Sequence, residues 1–160
     1  MYRLANFITG KGNEPTTASG YLVRMVSHSP LIMYLLDQVV TYLDAPTEPG
    51  EAPRKLMLIE ESPLLAYYTA MVLQFIGIRT CHISQDLVQE ERNILMGSFN
   101  SRDEGSVAVL VCTQWVGNGA NLHESCNRCI VMSQSRSLAM QNQATHRIVR
   151  VSTHLPLSSI

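Results

Sequence analysis

Two patterns of hydrophobic residues alternate along the chain: short continuous runs, and residues repeated at helical spacing. This order predicts strands interleaved with helices. Short apolar runs bounded by polar or turn-forming residues predict buried strands at 56–59, 78–83, 107–112 and 129–132. Apolar residues at helical spacing predict helices at 30–43, 63–75, 88–99 and 137–150. Strands that alternate with helices pair in parallel through right-handed crossovers, so the predicted fold class is α/β, a three-layer domain with a parallel sheet flanked by helices.

Local signals mark where several helices begin and end. Ser29 followed by Pro30 is a good helix start, and Gly77 is expected to end the helix over 63–75 as a C-terminal cap. Glu90 and Glu91 give the next helix an acidic first turn. For the helix that starts at Pro30, the spacing predicts an apolar face made of Leu31, Met33, Leu35, Leu36, Val39, Val40 and Leu43.

Turn-forming residues suggest how the chain is divided. Residues 1–29 are expected to be a loop-rich N-terminal extension, with a short strand or helix near 21–26. Residues 30–160 then form the main lobe, and the segment 44–54, with three prolines and a glycine, is an inserted surface loop.

Charge and composition restrict the partners. The 12 lysines and arginines are balanced by 13 aspartates and glutamates, so any nucleic-acid contact must come from a local patch. The first residues lack a signal pattern, and no apolar run reaches the length of about 18 residues that a membrane span needs. We therefore expect a soluble, intracellular protein with no membrane partner.

Two of the four cysteines, Cys126 and Cys129, form a C-x-x-C pair, with His123 three residues before it. This spacing suits a metal or redox site, or two buried thiols that lead into a strand. No second ligand pair follows at zinc-site spacing, so buried thiols are the favoured interpretation and no metal is predicted.

The segment TQWVGNGANL, residues 113–122, follows the strongest predicted strand. Ligands of open parallel sheets bind beyond the carboxyl ends of the strands. Gly117 and Gly119 would let backbone amides approach a phosphate closely, while Thr113 and Asn121 offer directional hydrogen bonds. An ordinary tight turn is the alternative. The sequence contains neither G-x-x-x-x-G-K-[ST] nor G-x-G-x-x-G, so neither a P-loop nor a dinucleotide site is predicted.

A second candidate segment, QATHRIVR, contains Gln143, Arg147 and Arg150. Arginines three positions apart share one helix face, and their planar guanidinium groups chelate phosphate oxygens. Such a pair can stabilise charge on a transferring phosphoryl group. A solvated basic stripe is the alternative.

Taken in order, these segments resemble the Snf-type chromatin-remodelling ATPases, a branch of the superfamily-two helicases. Lys55 to Ile59 is similar to the first strand of that family's C-terminal lobe, and Gly77-Ile78, Glu90-Glu91-Arg92 and Phe99-Asn100 match a further pattern in order and spacing. Residues 113–122 resemble motif V, and residues 143–150 resemble motif VI. The resemblance covers roughly residues 30–150 and implies a second RecA-like (P-loop NTPase-like) lobe. That family's lobe normally adds another strand after this point, which residues 151–157 would supply; the alternative is a sheet that lacks this edge strand.

The resemblance also implies roles. Arg150 would be the arginine finger, and Arg147 would assist it or bridge the lobes. Gln143, Gly117, Gly119 and Asn121 would face a nucleotide. Thr113, Gln114 and Trp115 would contact nucleic acid. The implied cofactor is ATP with Mg²⁺, held mainly by a first RecA-like lobe of the same parent chain.

Partners follow from the same resemblance. They are that first lobe and double-stranded DNA or chromatin, in the nucleus, with weak self-association through the face that the first lobe would cover. The fragment alone is expected to lack ATPase activity, because the phosphate loop with its lysine is absent from the sequence.

The sequence departs from the family pattern at several positions. Gln85 lies in a segment that usually reads Asp-Gly-Ser-Thr, Trp115 lies in a usually basic or small stretch, and Cys126 replaces an aspartate. These changes motivate an alternative function, a catalytically degenerate lobe that acts as a protein-interaction scaffold in a chromatin or DNA-modifying complex. An RNA helicase lobe is a third alternative, disfavoured by Asn121, where many RNA helicases have aspartate.

Overall fold

The computed structural model describes residues 15–46, 51–103, 105–113, 126 and 128–133. Elements are numbered here in chain order within that part. They are α1 (Ala18–Ser27), α2 (Pro30–Leu43), β1 (Leu56–Ile59), α3 (Pro63–Phe75), β2 (Thr80–Ile83), α4 (Gln89–Asn100), β3 (Val109–Cys112) and β4 (Arg128–Val131).

The four strands form one parallel sheet in the order β2-β3-β1-β4. The central strand β1 pairs with β3 from Leu56 opposite Val109 to Ile59 opposite Cys112. It is buried along its whole length, as is β3. Continuous apolar strands are expected where helices cover both faces of a parallel sheet. The predicted α/β class is therefore confirmed.

Side chains of alternate strand residues divide the sheet into two faces. One face carries a core of buried side chains contributed by β1, β2, β3, α4 and the segment before β4, and the partly buried Cys129 and Val131 of β4 pack against it. Its members are Met57, Ile59, Cys81, Ile83, Phe99, Leu110, Cys112 and Cys126. The other face carries Leu56, Leu58, Val109 and Val111, which are also buried.

Helix boundaries agree closely with the local sequence signals. Helix α3 begins at Pro63, with Ser62 as its N-cap, and ends before Gly77, which has φ +89°. The amide of Gly77 donates to the carbonyl of Gln74, and that of Ile78 donates to the carbonyl of Leu73. These two bonds form a Schellman motif, which requires a left-handed residue at the position of Gly77.

Other boundaries shift. A helix of ten residues, α1, occupies the region where only a short element was expected, and Thr17 caps it by accepting a hydrogen bond from the amide of Gly20. Two of the strands are shorter than predicted, since β2 begins at Thr80 and β3 begins at Val109.

The apolar face predicted for α2 is partly wrong. The buried residues are Ile32, Leu35 and Val39, whereas Leu31 and Met33 are about half exposed. Apolar residues lie on nearly every side of this helix, so their spacing could not determine which side is buried.

The chain divides into two compact units, residues 1–41 and 42–160. The predicted boundary at residue 29 and the strand predicted over 151–157 stay predictions, and 151–157 lies outside the described residues. No helix in the described part of the chain has the length and hydrophobicity to cross a membrane.

Candidate functional site at the carboxyl edge of the sheet

The carboxyl ends of the parallel strands meet at one edge of the sheet. Glu60 follows β1, Thr113 follows β3, and Ser133 lies two residues beyond β4. The amide of Glu60 donates to the carbonyl of Cys112 (3.1 Å), which continues the β1–β3 pairing by one residue. The hydroxyl of Ser133 accepts from the amide of Glu61 (2.8 Å) and fixes the turn after β1.

Glu60 is a buried carboxylate, with 1% of its surface exposed. Its Oε1 accepts a hydrogen bond from the amide of Ser62 (3.1 Å), the N-cap of α3. For Oε2 the described residues provide no hydrogen-bond partner. A half-satisfied buried carboxylate is costly, because the charge has lost its hydration without full replacement.

Thr113 is the one predicted site residue that the structure describes. It is 2% exposed, and its hydroxyl has no hydrogen-bond partner among the described residues. The β1–β3 register places it beside Glu60, and equivalent positions on parallel strands project to the same side of a sheet. Two incompletely bonded polar groups therefore belong to equivalent positions of adjacent strands, at the edge where such folds bind ligands.

The remaining predicted site residues lie outside the described residues. They are Gln114, Trp115, Gly117, Gly119, Asn121, Gln143, Arg147 and Arg150. Their assignment therefore stays a prediction.

Lys55, directly before β1, is a buried cation whose contacts the sequence did not reveal. Its Nζ donates to the carbonyls of Phe99 and Ser101, at the end of α4, and to the hydroxyl of Ser106 (2.9 Å). It also lies 5.3 Å from the centre of the Phe99 ring. A lysine is well placed at the negative end of a helix dipole, so Lys55 joins the start of β1 to the end of α4.

Cys81, Cys112 and Cys126 are buried thiols, whereas Cys129 is partly exposed. The single S–H of Cys126 lies within donating distance of two carbonyls, those of Lys55 (3.3 Å) and Arg128 (3.0 Å), and burial raises the pKa of this thiol. Burial raises the pKa of Cys81 and of Cys129 to about 12. Thiols held in the neutral form are poor nucleophiles and poor metal ligands. Within the described ranges, no group of three or more potential ligands could hold a metal ion.

A nucleoside triphosphate needs cationic donors, and the described part of the carboxyl edge does not provide them. The residues that directly follow β1, β2, β3 and β4 are Glu60, Ser84, Thr113 and Met132, which include an acid and no base. These residues do not by themselves fit ATP with Mg²⁺. Any phosphate contact from this chain would have to use residues outside the described part.

Comparisons with known proteins agree with this architecture. Residues 54–152 match the model of the helicase conserved C-terminal domain. Among solved structures, the chain is similar to the crystal structure of the C-terminal part of the Fun30 ATPase domain, with a TM-score of 0.65 and 19% sequence identity. The match covers 94% of this chain and 46% of the solved chain, so this chain spans about half of that structure. Among curated proteins, none matches the sequence.

Proposed function

Because the chain belongs to the helicase conserved C-terminal domain family, we propose that it is the second RecA-like lobe of an ATP-dependent DNA translocase of the Snf type. The observation that carries the proposal is the extent of the family match. It includes the segment 113–122 that follows β3 and both arginines of 143–150, the two segments expected to contact DNA and nucleotide. The fold likeness supports the lobe architecture.

In this proposal the first lobe holds ATP and Mg²⁺, and the second lobe supplies positive charge. Arg150 is the arginine finger, Arg147 assists it, and Gln143 orients their helix. Gly117, Gly119 and Asn121 of the segment 113–122 face the nucleotide. Stabilising charge on a transferring phosphoryl group in this way can change the rate of hydrolysis by orders of magnitude.

The ATPase proposal is tested in the two-lobed parent protein. Arg150→Ala should reduce DNA-stimulated hydrolysis by about 10³-fold or more, with no change in thermal melting. Arg102→Ala provides a control, because Arg102 is an exposed arginine outside the proposed site. Hydrolysis at the parent's rate in Arg150→Ala would contradict the arginine-finger assignment.

The DNA contact is proposed for Thr113, Gln114 and Trp115, with double-stranded DNA or chromatin in the nucleus as partner. Trp115 is the chain's sole tryptophan, so its fluorescence reports directly on this segment. We expect duplex DNA to change its emission at micromolar or weaker affinity, with binding that weakens as salt increases. Thr113→Val, which keeps the side-chain shape, should weaken binding. Stronger binding to duplex RNA would favour the RNA helicase alternative.

A second candidate function is a degenerate lobe that acts as an interaction scaffold. The observation that favours it is the pair of buried groups at the carboxyl edge. The Thr113 hydroxyl is almost inaccessible, and the neighbouring Glu60 carboxylate would repel a phosphate. Unchanged Trp115 emission on addition of DNA, together with a parent that binds but does not hydrolyse ATP, would favour the scaffold.

A further inference from the structure

Helix α3 has an outer face that is apolar and about half exposed or more in the described part of the chain, where the Tyr67 ring also makes an edge contact with His82 (5.9 Å between ring centres). Leu64, Tyr67, Met71 and Phe75 are between 46% and 77% exposed. Their spacing of three or four residues places them within an arc of roughly 80° on a helix with 3.6 residues per turn. We call these four residues the α3 stripe.

The opposite side of α3 is the side that belongs to the core. Ala66, Thr69, Ala70, Val72 and Leu73 are buried there. A helix that is apolar all round is normally enclosed on all sides, and the segment Pro63–Phe75 contains no charged residue. The α3 stripe is therefore a surface with the composition of an interface, including the Tyr, Phe and Met that interfaces favour.

From this arrangement we infer that the α3 stripe is a homodimer surface, on which a second copy of the chain pairs α3 with α3 in antiparallel orientation. The sequence of the stripe is self-complementary about a point between Tyr67 and Met71. In that orientation Leu64 lies opposite Phe75 of the second copy, and Tyr67 lies opposite its Met71. A two-fold axis requires this reciprocity, in which each pair occurs twice.

Three properties favour a second copy as the occupant. The reciprocal pairs each match an aromatic ring with a flexible aliphatic or thioether side chain, and sulfur–aromatic contacts are favourable. The absence of charge along α3 removes like-charge repulsion between two identical helices. The antiparallel arrangement also aligns the two helix dipoles favourably.

The area of the stripe predicts a weak dimer. The exposed fractions correspond to about 450 Å² per copy, taking about 200 Å² for each large side chain when fully exposed. Two copies would bury about 900 Å², below the roughly 1,200 Å² of specific stable complexes. We therefore expect a dimer that dissociates at a chain concentration on the order of 0.1 mM.

Sedimentation velocity tests the dimer over chain concentrations from about 5 to 500 µM. The weight-average mass of the unmodified chain should rise towards twice the monomer mass, and Met71→Glu should keep it monomeric throughout. Ile94→Glu is the matched control, because Ile94 is an apolar residue on α4 that is more exposed than Met71. Tyr34→Glu is the control for the exposed residues of α2. Neither control should change association.

Cross-linking tests the register. An equimolar mixture of Tyr67→Cys and Met71→Cys chains should form a disulfide-linked heterodimer several times faster than a mixture of Leu64→Cys and Met71→Cys chains. The native cysteines Cys81, Cys112 and Cys126 are buried and provide little competition, and the partly exposed Cys129 is replaced by serine in all the chains compared. Equal rates in the two mixtures would overturn the antiparallel register.

Other outcomes would overturn the dimer itself. They are a strict monomer at 500 µM, or association that Tyr34→Glu or Ile94→Glu abolishes while Met71→Glu does not. A loss of several degrees in the melting temperature of Met71→Glu would show that residues of the same chain cover the stripe. The inference does not depend on ATP or DNA, so its failure would leave the proposed function intact.

Discussion

Replacing Lys55 by methionine removes the buried cation that joins β1 to the end of α4. Methionine keeps an unbranched apolar side chain of similar length, so the change deletes the three hydrogen bonds of Nζ with little loss of packing. The carbonyls of Phe99 and Ser101 and the hydroxyl of Ser106 lose this donor. The expected result is a less stable domain with an unchanged fold.

The magnitude follows from two opposing contributions. Three hydrogen bonds to a charged donor contribute roughly 1.5–3 kcal/mol each. Burial lowers the pKa of the Lys55 ammonium, because the charge has lost its hydration, and removing the charge returns part of that cost. The net destabilisation should be about 3 kcal/mol, a large share of the 5–15 kcal/mol typical of a domain.

Urea unfolding followed by circular dichroism measures this difference. Arg102→Met is the control, because Arg102 is an exposed cation in the loop that follows α4. A double-mutant cycle of Lys55→Met with Ser106→Ala should give a coupling energy of about 1 kcal/mol. A destabilisation below about 1 kcal/mol by Lys55→Met, or a coupling near zero, would refute the reasoning.

Three further predictions concern other parts of the fold. Glu60→Gln should stabilise the domain by about 1 kcal/mol in urea unfolding, because the Ser62 amide keeps its acceptor and the poorly bonded charge is lost. Destabilisation would show that Oε2 has a partner. Gly77→Ala should destabilise the domain by about 1 kcal/mol, since the φ of Gly77 is +89°. Gly97→Ala in α4 should stabilise the domain by a similar amount. Equal effects of the two variants would contradict the assignment of Gly77 as the helix cap. In the folded state Cys81 and Cys129 keep their protons up to about pH 12, whereas in the unfolded state they ionise from about pH 8.5. The free energy of unfolding should therefore fall as the pH rises above about 8.5, by roughly 1.4 kcal/mol per pH unit for each thiol held neutral in the folded state. Urea midpoints at pH 8 and pH 10 under reducing conditions measure that slope, and identical midpoints would rule it out.

Much of the secondary structure was predictable because its causes are local. Ser62, Pro63 and Gly77 determine where α3 begins and ends, through an N-cap, a fixed φ and a left-handed cap that neighbouring residues do not alter. The continuous apolar run before Thr113 predicts a buried strand, since both faces of a parallel sheet are covered. Errors of two residues at β2 and β3 are of the size expected at element ends.

The candidate site was predictable only in position. The sequence placed Thr113 directly after the strongest strand, and the fold confirms that it lies at the carboxyl edge. The sequence could not show that Glu60 occupies the position equivalent to Thr113 on the adjacent strand. Glu60 follows β1, 53 residues before Thr113, and β1 and β3 become neighbours only through the sheet order β2-β3-β1-β4.

The sequence by itself determined the periods, the caps and the family of this chain, since these depend on residue types at fixed spacings. Only the tertiary structure decided which side of each helix is covered. It buried Ile32 rather than Leu31 on α2, and it left the α3 stripe exposed although α3 is apolar all round. It also brought Lys55 to the end of α4 across 44 residues. The physical reason is that burial and long-range hydrogen bonds depend on where other elements pack, and the hydrophobic effect is not directional.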